Sequence, residues 1–503
     1  MAISIEKILL VHGPSLSSDL KDILVNQYGL SPAAARQKIS RASGDVYKLK
    51  NLPFPRNATF VYLKSQYGSP DYWTALHESL LKTKSAYGLA ISALTARQGM
   101  MPYEHFKIAC GAPLRQKRHL SPDQIKKRLL DAGIVRTMTF NSREVLYLVR
   151  DENHKELRLS ELQGRLLAES MLLKGLYSWC RNLGLASFNQ LKIRDKGELP
   201  VISTTAWDLA GPSYLSGITS FKKGSDEIKS GFIAIDILLN YIVSEHDIAP
   251  YLKKLNSLKQ LKNVGSSIHF FVAFEYTAEA FNLLKKSGVS AATVKNLFGV
   301  DIAEGLSNLI YTLTVAANTI DSPEKINELF DKLGKLEGAS SLVRGALFEF
   351  LVAEVIRSTT QPVTVELNKI VRTSDAKQAE IDVFSPQHTN NEVIFAECKG
   401  LNPNATLSDE EVDKWLFTRI STIRKYCLEH PDLQNKQLIF QLWTTANLSS
   451  ESFEKIKKAA DATKKYSIQL IDKKSIAEKL RSHSLKQLSE TYRVHFLSLP
   501  KVG

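Results

Sequence analysis

The stretch QAEIDVFSPQHTNNEVIFAECKG, residues 378–400, decides the reading of this 503-residue chain. Two apolar-rich runs, QAEIDVFSP and EVIFAECKG, flank the polar turn PQHTNN, and this pattern predicts an antiparallel hairpin. The hairpin puts Asp382 on one strand and Glu397 and Lys399 on its neighbour. Side chains on a strand alternate with period two, so residues 397 and 399 share a face, while Cys398 points away and offers its backbone carbonyl. Glu380 lies on the same face as Asp382 and competes with it for a role; Asp382, bounded by Ile381 and Val383, sits deeper and ranks ahead. Just upstream, the helical stretch SLVRGALFEFLVAEVIRS leaves Glu349 among Leu347, Phe348 and Phe350, an apolar setting in which a carboxylate needs a reason. Downstream follow an amphipathic helix from Ser408 to His430, a strand KQLIFQLW, a helix ESFEKIKKAADATKK and a strand YSIQLID.

Phosphodiester hydrolysis needs a hard divalent cation, an activated water and a positive group beside the transferring phosphoryl. Carboxylates at 382 and 397, with the Cys398 carbonyl, suit Mg²⁺, for which Mn²⁺ is the natural substitute. Lys399 would orient or help deprotonate the attacking water, and Glu349 would hold metal waters or a second ion. Glu349 in GALFEF, Asp382 in AEIDVF and then Glu397-Cys398-Lys399 resemble the PD-(D/E)XK nuclease superfamily, the restriction-endonuclease-like fold. The resemblance covers residues 340–475 and implies a mixed sheet flanked by helices and a metal-dependent DNA nuclease. Ile381 stands where the superfamily motif has proline. An acid, any residue and lysine also occur at 19–21, 227–229, 375–377 and 472–474, but only the set at 397–399 ends an apolar strand behind an Asp-bearing strand and a Glu-bearing helix.

Charge points to the other end of the chain. With 66 basic and 52 acidic residues the net charge is +14, and residues 1–150 hold 22 basic against 10 acidic, or +12 of it. Such a pole favours a polyanionic partner, DNA ahead of membrane. A helix over Leu16–Tyr28, a turn at Gly29, a second helix opened by Ser31 and Pro32, and a hairpin in DVYKLKNLPFPRNATFVYLK together predict a winged helix. The order recurs from about residue 85, with SPDQIKKRLLDAGIV and RTMTFNSREVLYLVR as second helix and wing. Arg36, Lys38, Arg41, Lys48, Lys50 and Arg56 in the first module, and Arg115, Lys117, Arg118, Lys126, Lys127 and Arg128 in the second, are the expected DNA-binding residues.

The expected organisation is therefore multidomain α/β: winged helices at 1–80 and 81–152, an α/β domain at 155–320, and a nuclease domain at 335–503. The middle segment is either a degenerate copy of the nuclease fold or an unrelated α/β docking or sensor domain. As a copy it would carry Glu169, Asp208 and Asp236, with Leu238 where the catalytic lysine would stand. A hydrophobic fraction of 44% and a charged fraction of 23% exclude a disordered or low-complexity chain. Four scattered cysteines without a CxxC pair argue against structural zinc and disulfides, and a short apolar run near the start with no membrane-length stretch points to the cytoplasm. No GxxxxGK[ST] loop occurs, so ATP-driven translocation would need an ATPase partner. The expected function is a Mg²⁺-dependent DNA endonuclease, placed in prokaryotic restriction or anti-phage defence by analogy with enzymes that separate binding from cleavage. The alternatives are a repair or junction-resolving nuclease and a non-cleaving DNA-binding regulator. One candidate active site per chain implies a homodimer or partner protein for cutting both strands.

Overall fold

Ser31 and Pro32 open their helix as the sequence dictates: the Ala34 N–H donates to the Ser31 hydroxyl (3.2 Å), and Pro32 takes the first helical position, where no N–H is needed. The preceding helix stops at Gly29, whose φ of +67° is the left-handed value that glycine adopts freely. In this computed structural model the residues described are 4–140, 143–187, 189–195, 198–221, 228–262, 264–315, 328–329, 331–333, 335, 340–388 and 391–497. The polar stretches DSPEK (321–325) and LGKLEGAS (333–340), whose composition reads as a boundary before the last domain, lie largely outside them. The chain divides into two compact units, Met1–Leu162 with Trp179–Thr293, and Gln163–Ser178 with Val294–Gly503.

The first unit begins with α1 (Ile5–His12), β1 (Ser15–Leu16), α2 (Ser17–Tyr28), α3 (Pro32–Arg41), β2 (Val46–Lys48) and β3 (Phe60–Leu63), the strands pairing in the order β1-β3-β2. After α4 (Pro70–Lys82) the pattern repeats: α5 (Ala86–Thr95), β4 (Met100–Pro102), α6 (Tyr103–Ala109), α7 (Pro122–Asp131), β5 (Val135–Phe140) and β6 (Arg143–Leu148), ordered β4-β6-β5. Both modules thus run helix, strand, helix, helix, strand, strand. Two pieces went unread in the sequence: α1, and the two-residue β1 that takes Leu16 out of the expected helix to pair with Phe60. A boundary at residue 80 would cut α4. Tyr72, Leu76 and Leu80 of that helix are buried in one cluster with Phe60 of the first module and Ile91, Phe106, Ile125 and Leu146 of the second, so the modules share a core.

The helix α8 (Lys155–Asn182) follows, its residues Gln163–Ser178 counted with the second unit. The first unit then builds a five-stranded sheet from β7 (Lys192–Ile193), β10 (Leu209–Ser213), β13 (Gly231–Leu238), β14 (Ser267–Ala273) and β15 (Ser290–Thr293), neighbours in that order. The small hairpins β8 (Val201–Ile202)/β9 (Thr205–Ala206) and β11 (Ser220–Phe221)/β12 (Ile228–Lys229) stand outside it. Pairing is antiparallel from β7 to β13 and parallel from β13 to β15. α9 (Glu245–Lys259) connects β13 to β14 and α10 (Ala278–Lys286) connects β14 to β15. Val201–Ala206, whose sequence reads as one strand, forms only the small hairpin; the sheet strand is β10, whose Gly211-Pro212 reads as a turn. Glycine is required there because a Cβ would meet the Leu191 Cα at 2.9 Å.

The second unit repeats this plan. Its strands β16 (Glu366–Arg372), β17 (Gln378–Pro386), β18 (Glu392–Lys399), β19 (Gln437–Thr444) and β20 (Ser467–Ile471) are neighbours in that order, antiparallel to β18 and parallel beyond it. Helical residues 409–429 connect β18 to β19, with a wide π-helical turn over Lys414–Arg419, and the helix Ser450–Asp461 connects β19 to β20. Phe384, Phe395, Phe440, Leu442, Trp415 and Ile423 fill the core between sheet and helices. No helix among the described residues is long and apolar enough to cross a membrane.

Candidate active site and nucleic-acid interface

The hairpin β17/β18 pairs Val383 with Ala396, so one step further Asp382 faces Glu397. Both carboxylates are buried. The Cys398 N–H donates to Asp382 Oδ2 (2.6 Å), which fixes the carboxylate across the two strands. Glu397 is held by two cations: Lys399 Nζ lies 3.0 Å from Oε1, and Arg419 Nη1, from the wide turn, donates to both carboxylate oxygens. Burial opposes the Lys399 charge, but Glu397 and Asp382 outweigh it and leave the ammonium above its ordinary pKa. Lys399 in this state is a proton-bearing donor and not a base. That separates the two roles considered for it and favours orientation over deprotonation of a water.

Glu349 reaches the same region from the helix Ser340–Thr359. Gly400 admits that helix to the end of β18, since a Cβ there would stand 2.9 Å from the Arg344 carbonyl. Burial, then Asp382 and Glu380, push the Glu349 carboxyl well above the usual range, against a hydrogen bond from Asn368. Asn368 interrupts β16 with φ +53°, between Leu367 and Lys369, which pair with Val383 and Ile381. Burial first, then Glu397 and Glu380, also raise Asp382 well above its ordinary value, with the Cys398 N–H and Lys399 opposing. Glu380 accepts from Gln163 Nε2 (3.2 Å), a partner supplied by α8.

The structure therefore brings Asp382, Glu397, Lys399 and Glu349 into one electrostatic neighbourhood, with Glu380 as a fourth acid. Sequence reasoning missed Arg419, Asn368 and Gln163, whose relation to the motif is purely tertiary. The donor set fits a hard divalent cation chemically, because the neighbouring acids add to burial in raising the Asp382 and Glu349 carboxyls and a cation would relieve that repulsion. Yet among the described residues no group of three or more His, Cys, Asp or Glu side chains stands ready to hold a metal.

No protein-family model, curated protein or solved structure matches this chain.

The basic candidates in the first module divide between two grooves. Arg36, Lys48 and Arg56 line one of about 830 Å³, together with Lys21 and Lys82, which the sequence had not suggested. Lys82 pairs with Asp19 (3.1 Å) and Lys21 with Asp22 (2.7 Å). Lys38 and Arg41 line the other. Lys50 is exposed on the loop after β2. In the second module Arg115, Lys117, Arg118, Lys127 and Arg128 are exposed, but Lys126 is engaged by Glu144 at 2.5 Å and lies 3.9 Å over the Tyr103 ring. Lys126 is thus a structural residue of the module.

The sheet of the first unit repeats the acid pair. Leu209 pairs with Ile235, so Asp208 faces Asp236, and the Ile237 N–H donates to Asp208 Oδ2 (2.8 Å) as Cys398 does to Asp382. Leu238 occupies the place of Lys399, and Lys254 of α9 holds Asp236 as Arg419 holds Glu397. Glu169, expected to complete this set, is counted with the second unit, where it lies 3.6 Å from Arg165.

Proposed function

We propose that this chain is a metal-dependent DNA endonuclease whose cleavage site is Asp382, Glu397, Lys399 and Glu349. The observation that carries the reading is the register: two buried acids face each other across antiparallel strands, and a lysine follows two residues on, on the same face. Asp382, Glu397 and Glu349, with the Cys398 carbonyl, would hold Mg²⁺ or Mn²⁺. That ion, when bound, supplies charge neutralisation at the phosphoryl group and a coordinated water. Lys399 keeps its proton and donates to a non-bridging phosphate oxygen, steadying the negative charge that grows as water attacks phosphorus. Arg419, once released from Glu397, is a second donor to the same phosphate.

In this reading the two N-terminal modules are tandem winged helices that hold DNA through the Arg36, Lys48 and Arg56 groove and the exposed basic residues of residues 115–128. The sheet of the first unit is then a degenerate copy of the nuclease fold. A homodimer or partner protein supplies a second site where both strands are cut. By analogy of layout the setting is restriction or anti-phage defence, with repair or junction resolution as the neighbouring possibility. One observation favours a different class, a non-cleaving DNA-binding regulator: Glu397 is already neutralised by Lys399 and Arg419.

Incubation of wild type, Lys399→Ala and Asp382→Asn with supercoiled, linear, single-stranded and branched DNA, in Mg²⁺, Mn²⁺ and EDTA, separates the two. Metal-dependent cleavage by wild type, reduced on the order of 10³-fold in each variant, is expected. Full activity in both variants overturns the site. Tight binding without cleavage in any metal selects the regulator.

A further inference from the structure

Lys254 is 1% exposed, and an ammonium buried so deeply must have every proton accepted. It has three acceptors for three protons: the Asp236 carboxylate, the Ala206 carbonyl at 2.9 Å and the Ile108 carbonyl at 3.1 Å. The Trp207 ring lies 4.2 Å from the same nitrogen. One carboxylate and two carbonyls are the donor types a hard cation gathers, and here they surround a lysine. Ile108 lies in the last turn of α6 of the second N-terminal module, so the ammonium ties that module to the sheet.

A second tie runs beside it. Arg97, buried in the same module, donates through Nη2 to the Ile237 carbonyl (3.3 Å) and through Nη1 to the Ala93 carbonyl (3.3 Å). Ile237 is the counterpart of Cys398, whose carbonyl is the backbone ligand expected at the other site. Asp208, the second acid, is occupied by Arg194 at 2.6 Å. The module also fits closely: Gly111 has φ +82°, and a Cβ on it would stand 2.9 Å from the Pro250 carbonyl of α9. The Leu114 N–H donates to the Thr204 carbonyl (2.8 Å) at the start of the basic strap that holds Arg115, Lys117 and Arg118.

We propose that the acid pair Asp208/Asp236 is a lock and not a metal site: Lys254 takes the place a cation would fill and, with Arg97, fastens the second N-terminal module to the sheet. The lock sets the position of the basic strap relative to that sheet, and it stands on geometry that does not depend on the cleavage reading.

The test uses the full chain carrying Asp382→Asn and Glu397→Gln, which removes the candidate ligands of the second unit. Mn²⁺ uptake is read by electron paramagnetic resonance, and amide hydrogen exchange by mass spectrometry. The chain is expected to take up no Mn²⁺ at Asp236. The charge-neutral pair Lys254→Met/Asp236→Asn is expected to raise exchange across residues 97–110 roughly tenfold, the equivalent of one charged hydrogen bond, with β18 and β19 unchanged. Arg97→Met leaves the ion pair intact and is expected to raise the same exchange about threefold; it decides the matter should the pair variant fail to fold. Mn²⁺ uptake that Asp236→Asn abolishes overturns the proposal. Unchanged exchange over 97–110 in these variants overturns it as well.

Discussion

The two five-stranded sheets each carry a facing pair of acids, Asp208/Asp236 and Asp382/Glu397, and the same strand-crossing hydrogen bond, and they differ in the cation that answers them. In the first unit Lys254 is 1% exposed and fully satisfied by protein acceptors. In the second, the side chains of Lys399 and Arg419 are 22% and 23% exposed. A buried cation with three fixed acceptors has no route to exchange, because leaving would strand both its charge and the acid. A partly exposed guanidinium can trade its carboxylate for a phosphate with water filling in. The same backbone geometry thus yields a fixed joint in one sheet and an exchangeable site in the other.

That contrast breaks most visibly in stability. Lys254→Ala leaves Asp236 buried without its partner and is expected to cost about 3–5 kcal/mol, read by chemical denaturation of the first unit. Arg419→Ala, at a partly exposed position where Lys399 still holds the acid, is expected to cost less, about 1–2 kcal/mol. Equal losses would erase the distinction between joint and site.

Next in size is a pH effect confined to the first sheet. Burial, then Lys259 and Lys254, lower the His269 pKa to about 4. The unfolded imidazole takes up a proton below about pH 6.5 while the folded one does not, so stability is lost as pH falls from there towards 4, by about 3 kcal/mol. Burial pushes the Asp236 carboxyl up to about 6, against the pull of Lys254, and its contribution over part of this window has the opposite sign. Comparing wild type with His269→Gln cancels that contribution. The stability difference between the two proteins should shrink by about 3 kcal/mol between pH 7 and pH 4, and a flat difference would place the imidazole in contact with water.

The smallest effect concerns the basic grooves. Arg36→Ala with Arg56→Ala should weaken DNA binding several-fold and lower the slope of log affinity against log salt by about 1–2, as expected for lost phosphate contacts. Lys126→Ala, whose ammonium already serves Glu144 and Tyr103, should leave that slope unchanged and instead lower thermal stability slightly.

The hairpin β17/β18 was legible because its period is two and a polar turn divides it, and with it came the mutual placement of Asp382, Glu397 and Lys399. The repeated helix-capping pairs at Ser31-Pro32 and Ser121-Pro122 likewise marked the two N-terminal modules. β16 was not legible, since Glu366, Lys369 and Arg372 break up its apolar pattern, and only Val371 is buried. β15, Ser290–Thr293, was not legible because SAAT has no strand period, and an edge strand needs none. Arg419 and Lys254 lie on helices well removed in sequence from the acids they hold, so no local spacing announces them. The split of α8 between the two units was equally hidden, because nothing in its continuous helical run marks where the division falls.

The wide turn Lys414–Arg419 acts as an angular spacer. A π turn houses one residue more than an α turn, and one residue is worth ~100° of rotation about the helix axis. Trp415, before the end of the turn, is buried in the core, and Arg419, at its close, points to Glu397. Deleting one residue there would let the segment relax to regular α geometry and swing the guanidinium a quarter-turn away from the acid while Trp415 stayed anchored. The length of this turn, and not only the identity of the arginine, therefore tunes whether the clasp can close.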